Sequence, residues 1–327
     1  DDAAGGVQYA AARLGHFGVK LYRSSDRAQT WEECAAPCYP PQPESDGGEP
    51  DPHKWSLDQV WVLESGGPAA PDVIWAGTNP GGLFRSRDRG TTWELVRPLW
   101  EHPDRRRWMG GGYDVPGIHS VCVDPRDPDR IAVGVSTGGV WRTRDGGRSW
   151  AAAGEGMRAE YMPPELQFDP VAQDPHRLVQ CPSSPEWLWV QHHNGIFVSS
   201  DGGDRWREID GVRPSAFGFA VAVHPADPRT AWFVPATKDE RRVPVDGRVV
   251  VTRTRDGGES FEVLTRGLPQ AHAYDLVYRH ALDVSAGGDR LAFGSTTGGL
   301  WASEDGGDSW HTLSLNLPPV YAVRFAS

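Results

Sequence analysis

The chain has 327 residues, enough for two ordinary domains or one repetitive one. Its 39 glycines and 28 prolines work against long helices, and its 15 tryptophans work against disorder. A formal charge of −11 argues against nucleic acid or an anionic membrane surface as a partner. No apolar run approaches the roughly 20 residues needed to span a bilayer. No signal-like leader is visible, which favours the cytoplasm, although a first residue Asp1 leaves the compartment open. Cys34, Cys38, Cys122 and Cys181 are too few for a disulfide scaffold, and the C-x3-C pair reads as ordinary thiols.

In chain order, two strand-like runs near 7–14 and 17–23 lead into Ser24-x-Asp26-x-Ala28-x-Thr30-Trp31. A Pro- and acid-rich stretch, 40–54, reads as a surface loop. The turn then recurs as Ser86-x-Asp88-x-Gly90-x-Thr92-Trp93 and Thr143-x-Asp145-x-Gly147-x-Ser149-Trp150. The fourth and fifth copies are Ser199-x-Asp201-x-Gly203-x-Arg205-Trp206 and Thr254-x-Asp256-x-Gly258-x-Ser260-Phe261. The sixth is Ser303-x-Asp305-x-Gly307-x-Ser309-Trp310. Each copy has the chemistry of a tight turn. The carboxylate accepts from turn amides, the hydroxyl two positions earlier supports it, and Gly permits positive φ.

Each repeat holds four short strand-like runs, A to D, with the Asp turn joining C to D. In the third they cover 118–123, 130–136, 140–144 and 149–152. In the sixth they cover 278–283, 290–295, 300–303 and 309–313. Repeated four-stranded antiparallel sheets predict an all-β, six-bladed β-propeller. The run 319–326 is expected to close the ring by joining the N-terminal blade, which has room for too few strands. One domain, 1–327, is expected, with loop insertions near 40–54, 97–117 and 237–247.

The six turns resemble the Asp-box (BNR repeat) signature, and the chain resembles the sialidase-like propeller superfamily over almost its full length. That resemblance implies the propeller fold, and its activities include glycoside hydrolysis, receptor function and assembly of photosystems. Sialidases carry an Arg-Ile-Pro motif and an arginine triad. Neither can be placed here, where 14–20 reads Leu-Gly-His-Phe-Gly-Val-Lys, so true exo-sialidase activity is not expected.

Repetition also separates scaffold from site. What recurs in most blades serves the blade, and what departs in one serves something else. The B–C hairpins at 78–82, 136–139 and 295–299 are nearly uniform. The fourth blade departs with His192-His193-Asn194-Gly195, and the fifth with a charged insertion beginning Lys238-Asp239-Glu240-Arg241-Arg242. Long D–A connections open on the same face. They include 105–114, 160–165 and 270–275. His119 and His176 fall near the starts of two A strands, and Arg279-His280 at that level of the sixth blade.

The expected ligand-binding set is therefore His119, His192, His193, Asn194, Lys238, Glu240, Arg241, Tyr274, Arg279 and His280. If His192 and His193 lie in a strand they face opposite sides, so at most one reaches the channel. Glu160 and Glu165 are the expected catalytic carboxyl pair, with Tyr161 orienting substrate. His119, His193 and His280 are the expected ligands of a divalent metal, if one is used. The readings left open are a glycosidase-like or metal-assisted hydrolase, a module binding a polar small molecule, glycan or protein, and a non-catalytic interaction scaffold. A monomer is expected.

Overall fold

The computed structural model describes residues 6–44, 51–110 and 114–326. The expected loop near 40–54 therefore lies partly, and the Gly111-Gly112-Tyr113 run wholly, outside the described residues. Six antiparallel sheets, three in each of two compact units, make the six-bladed β-propeller fold. The only described α-helix is a four-residue turn, α1 (Arg97–Trp100). No described helix is long and apolar enough to cross a membrane.

The unit Asp1–Ala152 holds three sheets. The first is β1 (Gln8–Arg13), β2 (Val19–Ser24) and β3 (Glu32–Cys34). The second is β4 (Gln59–Ser65), β5 (Ile74–Asn79), β6 (Leu83–Ser86) and β7 (Glu94–Leu95). The third is β8 (Ile118–Asp124), β9 (Asp127–Val135), β10 (Gly139–Thr143) and β11 (Ala151–Ala152).

The unit Ala153–Ser327 holds the other three. They are β12 (Pro175–Cys181), β13 (Ser184–His192), β14 (Ile196–Ser199) and β15 (Arg207–Ile209), then β16 (Gly218–Val223), β17 (Ala231–Pro235), β18 (Val251–Thr254) and β19 (Glu262–Leu264). The last sheet is β20 (Leu282–Val284), β21 (Leu291–Gly294), β22 (Leu300–Ser303) and β23 (His311–Ser314).

The first sheet carries three named strands. The final run holds a parallel bridge from Ala322 to His280, and the Val323 amide donates to the His280 carbonyl at 2.8 Å. The pairing of this run is thus with the sixth repeat; the first sheet is ordered β1-β2-β3, and the expected joining of 319–326 to it is not among the described pairings. Residues 278–281, expected in the A strand of the sixth repeat, precede β20 outside any named strand; His280 bridges to the final run, and the Ala281 carbonyl accepts from the Gly294 amide of β21 at 2.8 Å.

The Asp turns build as their chemistry dictates. In the third, the Thr143 hydroxyl donates to Asp145 Oδ1 at 2.7 Å and accepts from the Gly147 amide at 3.0 Å. The Ser149 amide donates to Oδ1 at 2.9 Å and its hydroxyl to Oδ2 at 2.6 Å. Gly147 has φ +87°, the left-handed conformation that favours glycine. In the fourth, Arg205 replaces the hydroxyl residue, and Asp201 keeps the Arg205 amide at 3.0 Å. Between sheets, the core is aromatic. Trp232, Trp301, Trp310 and Phe293 pack in one cluster between the fifth and sixth sheets.

The inner strands share a second device that places the site. Pairing slips by one residue between Val60 and Val62 in β4, and between Ile118 and Ser120 in β8. It slips again between Pro175 and Arg177 in β12, and between Gly218 and Val221 in β16. A bulge leaves the skipped residue unpaired and re-aims its side chain. The skipped residues are Trp61, His119, His176 and Phe219-Ala220. Within the first unit Trp61 and His119 meet edge to face, ring centroids 5.6 Å apart. Within the second, His176 stacks on Phe219 at 4.4 Å.

Candidate functional site

The second unit gathers ionisable side chains around the bulge of β12. Asp174 precedes this strand, His176 is its bulged residue, and His193 follows β13 in the B–C hairpin. The backbone ties these segments together. The His193 amide donates to the Asp174 carbonyl at 3.0 Å, and the Asp174 amide donates to His192 Nε2 at 3.0 Å. Asp174 Oδ2 then lies 3.6 Å from His176 Nε2 and 3.5 Å from His193 Nδ1. The ligand atoms of all three residues fall within 4.8 Å of one another, the only such His/Cys/Asp/Glu group among the described residues.

The tautomer of His176 follows from its partner. Nδ1 is 2.6 Å from the Gly218 carbonyl oxygen, which can only accept. Nδ1 therefore carries hydrogen, and Nε2 faces the carboxylate. Gly218 is required there, because a Cβ would stand 2.9 Å from the Val234 carbonyl oxygen. Burial pushes Asp174 upward, but the two imidazoles and the charge of Arg279 hold its carboxyl well below the usual range. Burial pushes His176 down, while the Asp174 carboxylate raises His193. His192 is different. Burial drives it down to about 3, and its ring serves the backbone of this turn, accepting from the Asp174 amide.

An aromatic floor supports the cluster. Phe219 lies under His176, with Phe217 at 5.4 Å and Tyr278 at 5.2 Å. The guanidinium carbons of Arg242 and Arg279 each stand 5.3 Å from the Phe219 ring centre. Tyr161 meets the His193 ring at 4.8 Å, and its hydroxyl donates to the Ala172 carbonyl at 3.0 Å. Burial raises the Tyr161 phenol, so it stays protonated at neutral pH. The His193 side chain remains about 25% exposed, which opens the cluster to solvent.

Of the residues expected from sequence, the structure brings Tyr161, His193 and Arg279 together here, with His192 in support. Asn194 adjoins them, its Oδ1 accepting from the Glu160 amide at 3.3 Å. Glu160 and Glu165 are exposed, and Glu160 pairs with Arg158 at 3.3 Å. Neither has the apolar surroundings that prepare a carboxyl to act as an acid. Lys238 and Glu240 pair with each other at 3.2 Å on the exposed insertion, beside Arg241. From this insertion, Arg242 reaches the floor, and the charge of Asp239 acts on His193. Tyr274 is 67% exposed. His280 holds the final run through its backbone and lies outside the Asp174 group. His119, in the first unit, is buried with Nδ1 2.9 Å from the Ser120 hydroxyl, and also lies outside that group.

Sequence reasoning did not select Asp174, His176, Phe219 or Arg242. The signal was available for His176, which occupies the bulge position that His119 occupies in β8. It was available too for Asp174, the acid two residues before it.

Comparison with known proteins adds the following. The family model of the BNR-Asp box repeat matches residues 21–34. An oligoxyloglucan-reducing end-specific xyloglucanase of Emericella nidulans is 25% identical over 225 residues, covering 65% of this chain and 25% of that protein. The chain thus spans about a quarter of the length of that relative. The crystal structure of the GH74 xyloglucanase from Xanthomonas campestris superposes with a TM-score of 0.62 at 21% identity, covering 94% of this chain and 45% of that one. A structure of YCF48 bound to D1 peptide superposes with a TM-score of 0.58 at 16% identity, covering 94% and 81%.

Proposed function

We propose that this chain, a six-bladed Asp-box β-propeller of glycosidase-like kind, binds an oligosaccharide at the cluster around Asp174, His176 and His193. The observation that carries this reading is a buried, ionised carboxylate where the fold does not ask for one. Burying a carboxylate costs several kcal/mol unless partners offset it. Here two imidazoles of the fourth sheet and an arginine that precedes the sixth converge on it, at the point where the blades depart from their own repeat. The similarity to xyloglucanases supports a carbohydrate as the ligand.

The parts suit a sugar. Phe217, Tyr161 and Tyr278 offer apolar faces, while Arg242, Arg279 and His193 offer donors for hydroxyl oxygens. Asp174, being ionised, would accept from hydroxyls, or stabilise positive charge developing at an anomeric carbon.

Titration calorimetry with a xyloglucan-derived oligosaccharide, run beside nitrophenol release from aryl glycosides including sialosides, tests the reading. Binding to the wild type that falls at least tenfold in Tyr161→Ala and in Arg279→Met supports it. Absence of binding, or binding unchanged in both folded variants, overturns it. A second reading, a non-catalytic module that binds a polypeptide, is favoured by the 81% coverage of the peptide-bound YCF48 chain. It predicts peptide binding with no glycoside turnover.

A further inference from the structure

We infer that Asp174, His176 and His193 form a binding site for a divalent transition-metal ion, with zinc the ion that the two carboxylate–imidazole separations fit. This goes beyond the oligosaccharide reading and does not depend on it. Three observations carry it.

The first is the donor set. Two imidazoles and one carboxylate are a recurrent protein ligand set for zinc and for non-haem iron, and they leave positions open for water or substrate.

The second is the spacing. The carboxylate stands 3.6 Å from one imidazole nitrogen and 3.5 Å from the other, longer than the roughly 2.7–3.2 Å of a normal hydrogen bond. Two atoms bound at about 2.0–2.2 Å to a tetrahedral centre lie about 3.3–3.6 Å apart, whereas the right angles of an octahedron would bring them to about 3 Å. Both measured separations match tetrahedral edges. The remaining imidazole–imidazole separation is within 4.8 Å.

The third is the outer shell. His176 donates Nδ1–H to the Gly218 carbonyl, the second bond that metal-binding histidines usually make. It aims the Nε2 ligand atom at the carboxylate. The paired amide bonds between Asp174 and the 192–193 hairpin fix the other edge. The partial exposure of His193 supplies an entry path for the ion.

The test uses the full chain, free of any affinity tag, stripped with a chelator and dialysed. Zinc is added alone, followed by calorimetry and elemental analysis after gel filtration. Cobalt(II) serves as a spectroscopic stand-in, and manganese and iron(II) as competing ions. One equivalent of zinc retained per chain, with affinity lowered at least tenfold in His193→Ala and in Asp174→Asn, is the expected result. Intense visible bands of tetrahedral cobalt, absent in His193→Ala, are also expected. His193 is partly exposed, so that variant keeps the fold, which circular dichroism checks. If no divalent ion binds stoichiometrically, or if zinc binds equally well to His193→Ala, the site is a hydrogen-bonded or water-bridged cluster and the inference fails.

Discussion

Phe219 is the side chain on which core and site both rest. It is 2% exposed. One face stacks on His176 at 4.4 Å, the ring edges meet Phe217 and Tyr278, and two guanidinium groups stand 5.3 Å from its centre. Phe219→Ala removes a buried ring and leaves a cavity, a change that costs about 3–5 kcal/mol. Phe219→Leu keeps most of the apolar area. It loses the ring stacking, about 0.5–1.5 kcal/mol, and two cation–π contacts of about 0.5–2 kcal/mol each. The expected losses are therefore about 3–5 kcal/mol for the alanine variant and, from the low ends of those ranges, at least about 1.5 kcal/mol for the leucine variant. Equilibrium urea unfolding followed by tryptophan fluorescence reads both as lowered midpoints at unchanged slope. Phe219→Leu is also expected to weaken ligand binding, because Arg242 and Arg279 lose the surface that positions them. A loss below about 1 kcal/mol for Phe219→Ala would refute the argument that this ring is the common support.

Other outcomes follow from the same contacts. In Ser199→Ala the buried Gly203 amide loses its 2.9 Å acceptor, and unfolding should become about 1–3 kcal/mol easier; an unchanged urea midpoint would count against the Asp-turn chemistry. The boxes also set acid stability. Hydroxyl and amide donors hold Asp26, Asp88 and Asp256 at about 2, below the roughly 3.9 of an unfolded aspartate. Their contribution is complete above about pH 4–5 and is lost as pH falls from about 4 to about 2, so urea midpoints measured from pH 6 to pH 2 should decline in that window and be level above it. His192→Ala should destabilise by about 2–3 kcal/mol, since it empties a buried volume and strips the Asp174 amide of its acceptor, while His193→Ala should unfold like the wild type; equal urea midpoints for the two variants would contradict the assignment of one to scaffold and the other to site.

The architecture was legible because it is written six times. Ser/Thr, Asp and the following aromatic recur at fixed offsets in all six copies, and Gly in the five after Ala28, each with a local physical role, so no long-range information was needed to count the blades. The face of the site was legible for a related reason. His192-His193 and the charged insertion stand out against hairpins that otherwise repeat.

The side chains that meet there were harder to read. Which residues converge depends on a bulge in β12, and a one-residue slip re-aims a side chain without changing composition or spacing. His119 and His176 look alike in sequence and occupy like positions, yet only His176 has an acid two residues before it and a histidine-bearing hairpin opposite. The exposed Glu160 and Glu165 were selected for their chemistry alone. Their surroundings depend on how the 153–174 connection lies, with the Tyr161 hydroxyl turned to the Ala172 carbonyl and Glu160 turned to Arg158.

A crystal structure of the chain soaked with a xyloglucan-derived oligosaccharide is the most direct measurement. Sugar density against Tyr161, His193 and Arg279, over the Phe217–Phe219 floor, is the predicted result. Density confined to another surface, such as the sheets around His119, would contradict the placement of the site.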